Sequence, residues 1–314
     1  MQPRRVIFAC PFPRDQIAGG IRTTYRHAAM LRAAGLDALV FSPDGHPTWF
    51  RSAARVEGDP GFRFHADDVV VINEIVNDVA LNYLRLGTRK QMFCQNQFYV
   101  FGRHLGLADH AALGIEQVYG SSRSIAGFFH SVYGIADMDV VPYAVDGAVF
   151  RPAAKRLAIA YVPRKLPFEA EFIKTAFQRK FPAWRGVPWL AIDGMTEART
   201  AEILSEAAVF LALGHRDSFG LPAIEAMASG CAVVGFHGTG GLEFATADNG
   251  QWFHSDQLLE CVEALGRVVG AVERTEPWIA AQVAAGHATA AGYSLAATRR
   301  ALLAHFGVAD RGAA

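Results

Sequence analysis

Short apolar runs of strand length alternate with helix-length stretches along almost the whole chain, and this alternation confines it to an α/β architecture. Residues 6–10, 38–41, 68–73, 91–94, 115–119 and 139–141 read as strands, and 21–34 (closed by Gly35), 75–86 and 123–133 as helices. The rhythm breaks once, at "VPYAVDGAVFRPAAKR" (141–156), where two prolines interrupt it. It then resumes with strands at 157–162, 189–192, 209–213 and 231–235, and helices at 169–179, 197–207 and 256–269, followed by two more helical segments to about Phe306. Strands in such an order need crossover helices, hence parallel sheets covered on both faces. The expectation is two doubly wound, Rossmann-like α/β domains facing a cleft, 1–148 and 149–292, with ligands beyond the carboxyl ends of the strands. A chain of 314 residues suits two domains of that size.

Composition narrows the function classes. Lys plus Arg equals Asp plus Glu at 30 each, so no nucleic-acid partner is expected. The apolar run near the start is too short for a signal peptide or membrane span. Cys10, Cys94, Cys231 and Cys261 have neither metal nor redox spacing, which points to reduced core thiols and a cytoplasmic location. No G-x-G-x-x-G, G-x-S-x-G or His cluster occurs, so no metal and no resident cofactor are expected. "DMD" at 137–139 and His130 imitate functional groups, but their setting is structural.

Five stretches carry candidate chemistry. In "RDSFGLPAIEAMASGCAVV" (216–234), Phe219 and Gly220 form a turn, Pro222 suits the first helical position and Gly230 a left-handed stop. The helix start near Leu221 is an anion site, and Glu225, about 4.5 Å along the axis from Pro222, is placed for a ribose. An early helical Glu also serves simply to complement the dipole. In "AYVPRKLPFEAEF" (160–172), Arg164 and Lys165 stand at a strand's carboxyl end, where they would neutralise a leaving diphosphate or form a solvated basic turn. In "FPRDQIAGGIRTTYRHAAML" (12–31), Gly19 and Gly20 let backbone amides approach a ligand. In "CQNQFYVFGRH" (94–104), Gln95, Asn96, Gln97 and Tyr99 suit hydroxyl recognition or ordinary loop capping. "FHGTGGLEFAT" (236–246) reads as a flexible glycine loop.

Together and in order, these pieces resemble the GT-B fold glycosyltransferases, and among them glycosyltransferase family four. The resemblance runs through "IAGGIRTTYRHAAMLRAAG", the link "PYAVDGAVFRP", Arg164 and Lys165, the segment "DSFGLPAIE", and then "EAMASGCAVV" and "GTGGLE". It implies a retaining, metal-independent transfer from a nucleoside diphosphate sugar to a glycan, lipid-linked or small-molecule hydroxyl; a lipid-linked acceptor would bring peripheral membrane contact. It implies that Glu225 binds the ribose, that Asp217 faces the donor sugar, and that the backbone from Ser218 through Phe219 and Gly220 to Leu221 holds the sugar and diphosphate; His215 is a candidate from its place two residues before Asp217. Arg164 and Lys165 would meet the diphosphate, Gly19 and Gly20 would close on the donor, Met195 would lie near the base, and Asn96 would bind substrate. The C-terminal helix, 293–314, would pack back on the first domain. Three positions depart from the family pattern: Asp217 stands for the usual Glu, Lys165 directly follows Arg164, and Gln95, Asn96 and Gln97 occupy the region of a common His. The same motifs suit two other readings, a nucleotide-sugar epimerase and a non-catalytic subunit that binds a sugar nucleotide or glycan.

Overall fold

The computed structural model describes residues 5–75, 78–100 and 114–310. Phe101 to His104 of the polar stretch, Val76 and Asn77 of the predicted helix 75–86, and the chain beyond residue 310 lie outside the described residues.

The chain divides into two compact units, residues 1–143 with 296–314, and residues 144–295. The first contains β1 (Val6–Ala9), α1 (Gly19–Ala33), β2 (Ala38–Phe41), β3 (Val56–Glu57), β4 (Val69–Asn73), α2 (Asp78–Leu84), β5 (Arg89–Cys94), β6 (Ile115–Gly120), α3 (Arg123–Tyr133) and β7 (Asp139–Val140). They form a seven-stranded sheet in the order β3-β2-β1-β4-β5-β6-β7, with every described pairing parallel. Side chains alternate across the sheet, as a pleated strand requires. Val6 and Phe8 of β1 face a core shared with Tyr25, Ala28 and Leu31 of α1, while Ile7 and Ala9 face a second core with Tyr83 of α2 and Phe129 of α3. Burial on both faces is why these strands read as unbroken apolar runs.

The second unit contains β8 (Arg156–Tyr161), α4 (Pro167–Lys180), β9 (Trp189–Ala191), α5 (Glu197–Glu206), β10 (Ala207–Gly214), α6 (Leu221–Ala228), β11 (Ala232–His237), α7 (Gly238–Gly241), β12 (Gln251–Phe253), α8 (Leu258–Glu273) and α9 (Pro277–Ala291). Its five-stranded parallel sheet has the order β12-β11-β10-β8-β9. Ile159, Val209, Leu211 and Val234 pack on α4 and α8 on one face; α5, α6 and α9 cover the other. The last helix, α10 (Leu295–His305), returns to the first unit, where Leu302 and Leu303 are buried in the α1 core and the Thr298 hydroxyl donates to the Pro142 carbonyl at 2.9 Å.

Four expectations need correction. The stretch 236–246 is not a free glycine loop: its first two residues end β11 and the next four form the helical turn α7. The strand predicted at 231–235 runs from Ala232 to His237, because it pairs in register along β10 as far as Gly214. Pro222 is the second residue of α6, since Leu221 already has helical geometry. Two strands escaped notice, β3 and β12; both are short and half-buried, with no apolar run to betray them. Among the described residues no helix is long and apolar enough to cross a membrane. All four cysteines are free and buried.

Candidate active site

In the second sheet the chain enters at β8, places β9 on one side and β10 on the other. The loops after β8 and β10 therefore diverge from adjacent strand ends, the geometry at which open α/β sheets bind ligands. β8 leads through Val162 into a single 3-10 turn, Pro163–Lys165, whose proline sets the first helical angle. Arg164 on this turn is exposed. Lys165 keeps about a third (33%) of its side chain open and forms an ion pair with Asp217 of the loop after β10. Thus the two loops meet through the groups predicted to act on the donor. Burial and the neighbouring Arg164 charge push the Lys165 ammonium down to about 8. The Asp217 carboxylate on its Nζ pulls the other way, because an adjacent anion favours the charged form.

Asp217 is fixed from two directions. Its Oδ2 accepts the His215 backbone N–H at 3.3 Å, and its carbonyl accepts the Gly240 N–H at 2.7 Å. His215 is half-buried, and its carbonyl accepts the Thr239 N–H at 3.1 Å. The helical turn α7 thus braces the loop by backbone contact. A Cβ on Gly240 would overlap the Phe219 amide nitrogen and the Ser218 carbonyl carbon, so only glycine allows this approach. Gly240→Ala is expected to destabilise the second unit by about 1–3 kcal/mol through forced displacement of that backbone. Urea unfolding would measure it, and an unchanged midpoint would show that the loop yields freely.

Ser218 and Phe219 are buried, with the Phe219 ring edge-on to Phe244 and Tyr293 at centroid distances of 5.6 and 4.8 Å. Their side chains anchor the loop. Gly220, left-handed at φ 95°, turns the chain into α6. No side chain caps that helix start, and Leu221 there is half-buried. Ala223 to Ala228 are all buried, and among them stands one carboxylate, Glu225, only 5% exposed. Met195 is half-buried in the loop after β9, just before Thr196, whose hydroxyl caps α5. Sequence reading missed Asn249, which is buried and holds Phe244, Thr246, Trp252 and Thr289 through four hydrogen bonds. A lone Asn in a Thr-Ala-Asp-Asn-Gly stretch gives no sign of that role.

The first-unit candidates lie apart from these in the chain and form their own group. Gly19 and Gly20 open α1, again without a side-chain cap. Gln95, Asn96 and Gln97 are buried at the end of β5, and only Tyr99 of the four predicted polar groups is exposed. Asn96 accepts the Phe98 N–H at 3.0 Å through its side chain, and Gln97 donates to Ser124 Oγ at 3.0 Å. Loop capping, the plainer of the two expectations, is thus part of what Asn96 does. Among the described residues no group of three His, Cys, Asp or Glu could hold a metal. Asp139 of "DMD" instead accepts from the His305 ring at 2.7 Å.

No family model matches the chain. An alpha-1,6-glucosyltransferase of Actinobacillus pleuropneumoniae is 27% identical over 243 residues, 74% of this chain and 72% of that protein. Among solved structures, a sucrose-phosphate synthase from Thermosynechococcus elongatus superposes with a TM-score of 0.70 at 12% identity, covering 97% of this chain and 98% of its own. A glycosyltransferase from Rickettsia africae gives 0.71 at 12% identity and covers 98% of both chains. The Anabaena protein HepE, in complex with UDP-glucose, gives 0.66 at 12% identity, covering 96% of this chain and 99% of that one. The chain has the GT-B glycosyltransferase fold, and its sequence relative is a glycosyltransferase.

Proposed function

We propose that this protein is a retaining glycosyltransferase that moves a hexose from a nucleoside diphosphate sugar to a hydroxyl of a glycan, lipid-linked or small-molecule acceptor, without a metal. The observation that carries this reading is the Lys165–Asp217 ion pair, which joins the turn after β8, where Arg164 also stands, to the loop that leads from β10 into the uncapped start of α6. Cations and helix amides suit a diphosphate. Glu225, one turn inside the helix, would take the ribose. The second unit would hold the nucleotide and the first the acceptor. UDP-glucose is the first donor to try, because HepE was solved with it and the sequence relative transfers glucose. Retention fits the relative's alpha linkage: UDP-glucose is itself alpha-linked, so an alpha product keeps the configuration. Charge stabilisation of the leaving diphosphate and correct positioning would supply the catalysis.

The test is turnover by the purified protein of a panel of nucleoside diphosphate sugars against an acceptor panel, with the product's anomeric configuration read by NMR. An alpha-linked product from UDP-glucose supports the reading, and an inverted one removes retention. Conversion of the donor sugar without an acceptor would favour the epimerase. Binding with no turnover would favour the non-catalytic subunit. Activity is expected to survive EDTA; complete loss, restored by magnesium or manganese, would overturn the metal-free part.

A further inference from the structure

The first sheet has its own switch point, between β1 and β4. β1 leads into the Gly19–Gly20 start of α1, and β4 ends one residue before Glu74. Glu74 is only 3% exposed, and its Oε2 accepts the Gln95 N–H at 2.9 Å. The backbone N–H groups of Asn96 and of Glu74 itself lie near enough to favour its charged form as well. Gln95 in turn lies over the first turn of α1, where its Oε1 and Nε2 stand 3.0 and 3.2 Å from the place a Cβ on Gly20 would occupy. The Tyr143 hydroxyl donates toward the Gln95 carbonyl at 3.4 Å and its Oε1 at 3.3 Å. One buried carboxylate therefore fixes the backbone whose side chain fills the space beside Gly20.

We propose that Glu74 is a positioning residue for sugar transfer: its ionised carboxylate holds the Gln95–Asn96 corner against Gly20 and so sets a hydroxyl-recognising edge of the first unit. This rests on the reading that the first unit takes the acceptor. An anion buried to this extent costs free energy, and the Gln95 N–H bond, with the neighbouring Asn96 and Glu74 amides, offsets part of that cost. Burial pushes Glu74 up to about 7. The groups facing it are the Cys94 thiol on β5 and the Tyr143 phenol, both raised and neutral, with the Arg22 guanidinium on α1 acting on Tyr143. Protonation removes the charge that the Gln95 N–H is bonded to, so the corner loosens as pH falls through about 7.

Global stability responds with the opposite sign. Glu74 is raised in the folded state above the ordinary 4.5, so its contribution to stability is complete below 4.5 and is lost as pH rises through about 7. Amide hydrogen exchange at Gln95 and Asn96 separates the two roles. After correction for intrinsic rates, positioning by the carboxylate predicts about tenfold greater protection at pH 8 than at pH 6, and no such step in Glu74→Gln. Protection that is flat, or that falls with pH alongside stability, would overturn the proposal. The wild-type series decides this even if Glu74→Gln does not fold. In the activity arm, kcat/KM with UDP-glucose as donor and octyl β-glucoside as acceptor should rise through about pH 7 in the wild type and lose that limb in Glu74→Gln. An unaltered limb in the variant would also overturn it. Absence of turnover together with a pH step in exchange would sink the transferase reading and leave the corner standing.

Discussion

Replacing Lys165 by alanine is expected to lower kcat for sugar transfer by about 100-fold or more, with a much smaller change in the donor KM. Lys165 stands on the turn beyond β8, beside Arg164 and against Asp217, at the proposed position of the diphosphate. Charge on that diphosphate grows as the glycosidic bond breaks, so a cation there acts more on the transition state than on the bound donor. The protonated amine is the competent form, and it is pushed down to about 8. The profile of kcat/KM should therefore fall as pH rises through about 8. Lys165→Arg keeps its charge at every accessible pH, so its profile should lack that falling limb. Asp217→Asn removes the carboxylate that supports the ammonium, which should move the limb to lower pH and reduce transfer strongly. Affinity for free UDP should hardly change in that variant, because the nucleotide is assigned to other groups. A wild-type profile that stays level past pH 9 would show that Lys165 is not the titrating group.

Glu225→Ala should weaken UDP binding by about 1.5–3 kcal/mol, roughly 10- to 150-fold, whether or not a sugar is attached. Glu225 is the one carboxylate on the buried run of α6 and lies a turn beyond the helix start assigned to the diphosphate. A charged hydrogen bond to a ribose hydroxyl has that magnitude, and it would be lost equally for UDP and for UDP-glucose. Calorimetric titration measures it directly. The unliganded melting temperature should be recorded beside it, since ligand-dependent shifts report binding only against the variant's own baseline. Glu225→Gln controls for packing, because it keeps the side-chain volume while removing the charge. Equal UDP affinity in wild type and both variants would end the ribose assignment.

The fold was legible where strands are covered on both faces. β1, β2, β4, β8, β10 and β11 are apolar over most of their length because helices bury both sides, and a run of that kind shows plainly in sequence. β3 and β12 did not show, since two or three half-buried residues leave no periodicity. Nor did α7: its glycines have poor helix propensity, and its geometry is imposed by the backbone of 215–219. The candidate residues were legible one by one, but their meeting was not. Lys165 and Asp217 are 52 positions apart, and only the adjacency of β8 and β10 brings them together. Glu74 gave no signal at all, because a single acid after a strand is ordinary until its burial and its bond from the Gln95 N–H are known.

The return of α10 to the first unit has a consequence for how the chain comes off the ribosome. Leu302 and Leu303 complete a core whose other members, from Val6 to Val141, are made much earlier, and the His305 ring lies against Tyr119 at 4.2 Å. The N-terminal unit therefore cannot close its core until the last helix has been synthesised. The second unit, continuous from 144 to 295, has all its residues in hand before then. The usual N-terminal-first order of domain folding is reversed for the final step, and the part of the α1-side core that Leu302 and Leu303 fill stays uncovered until they are made.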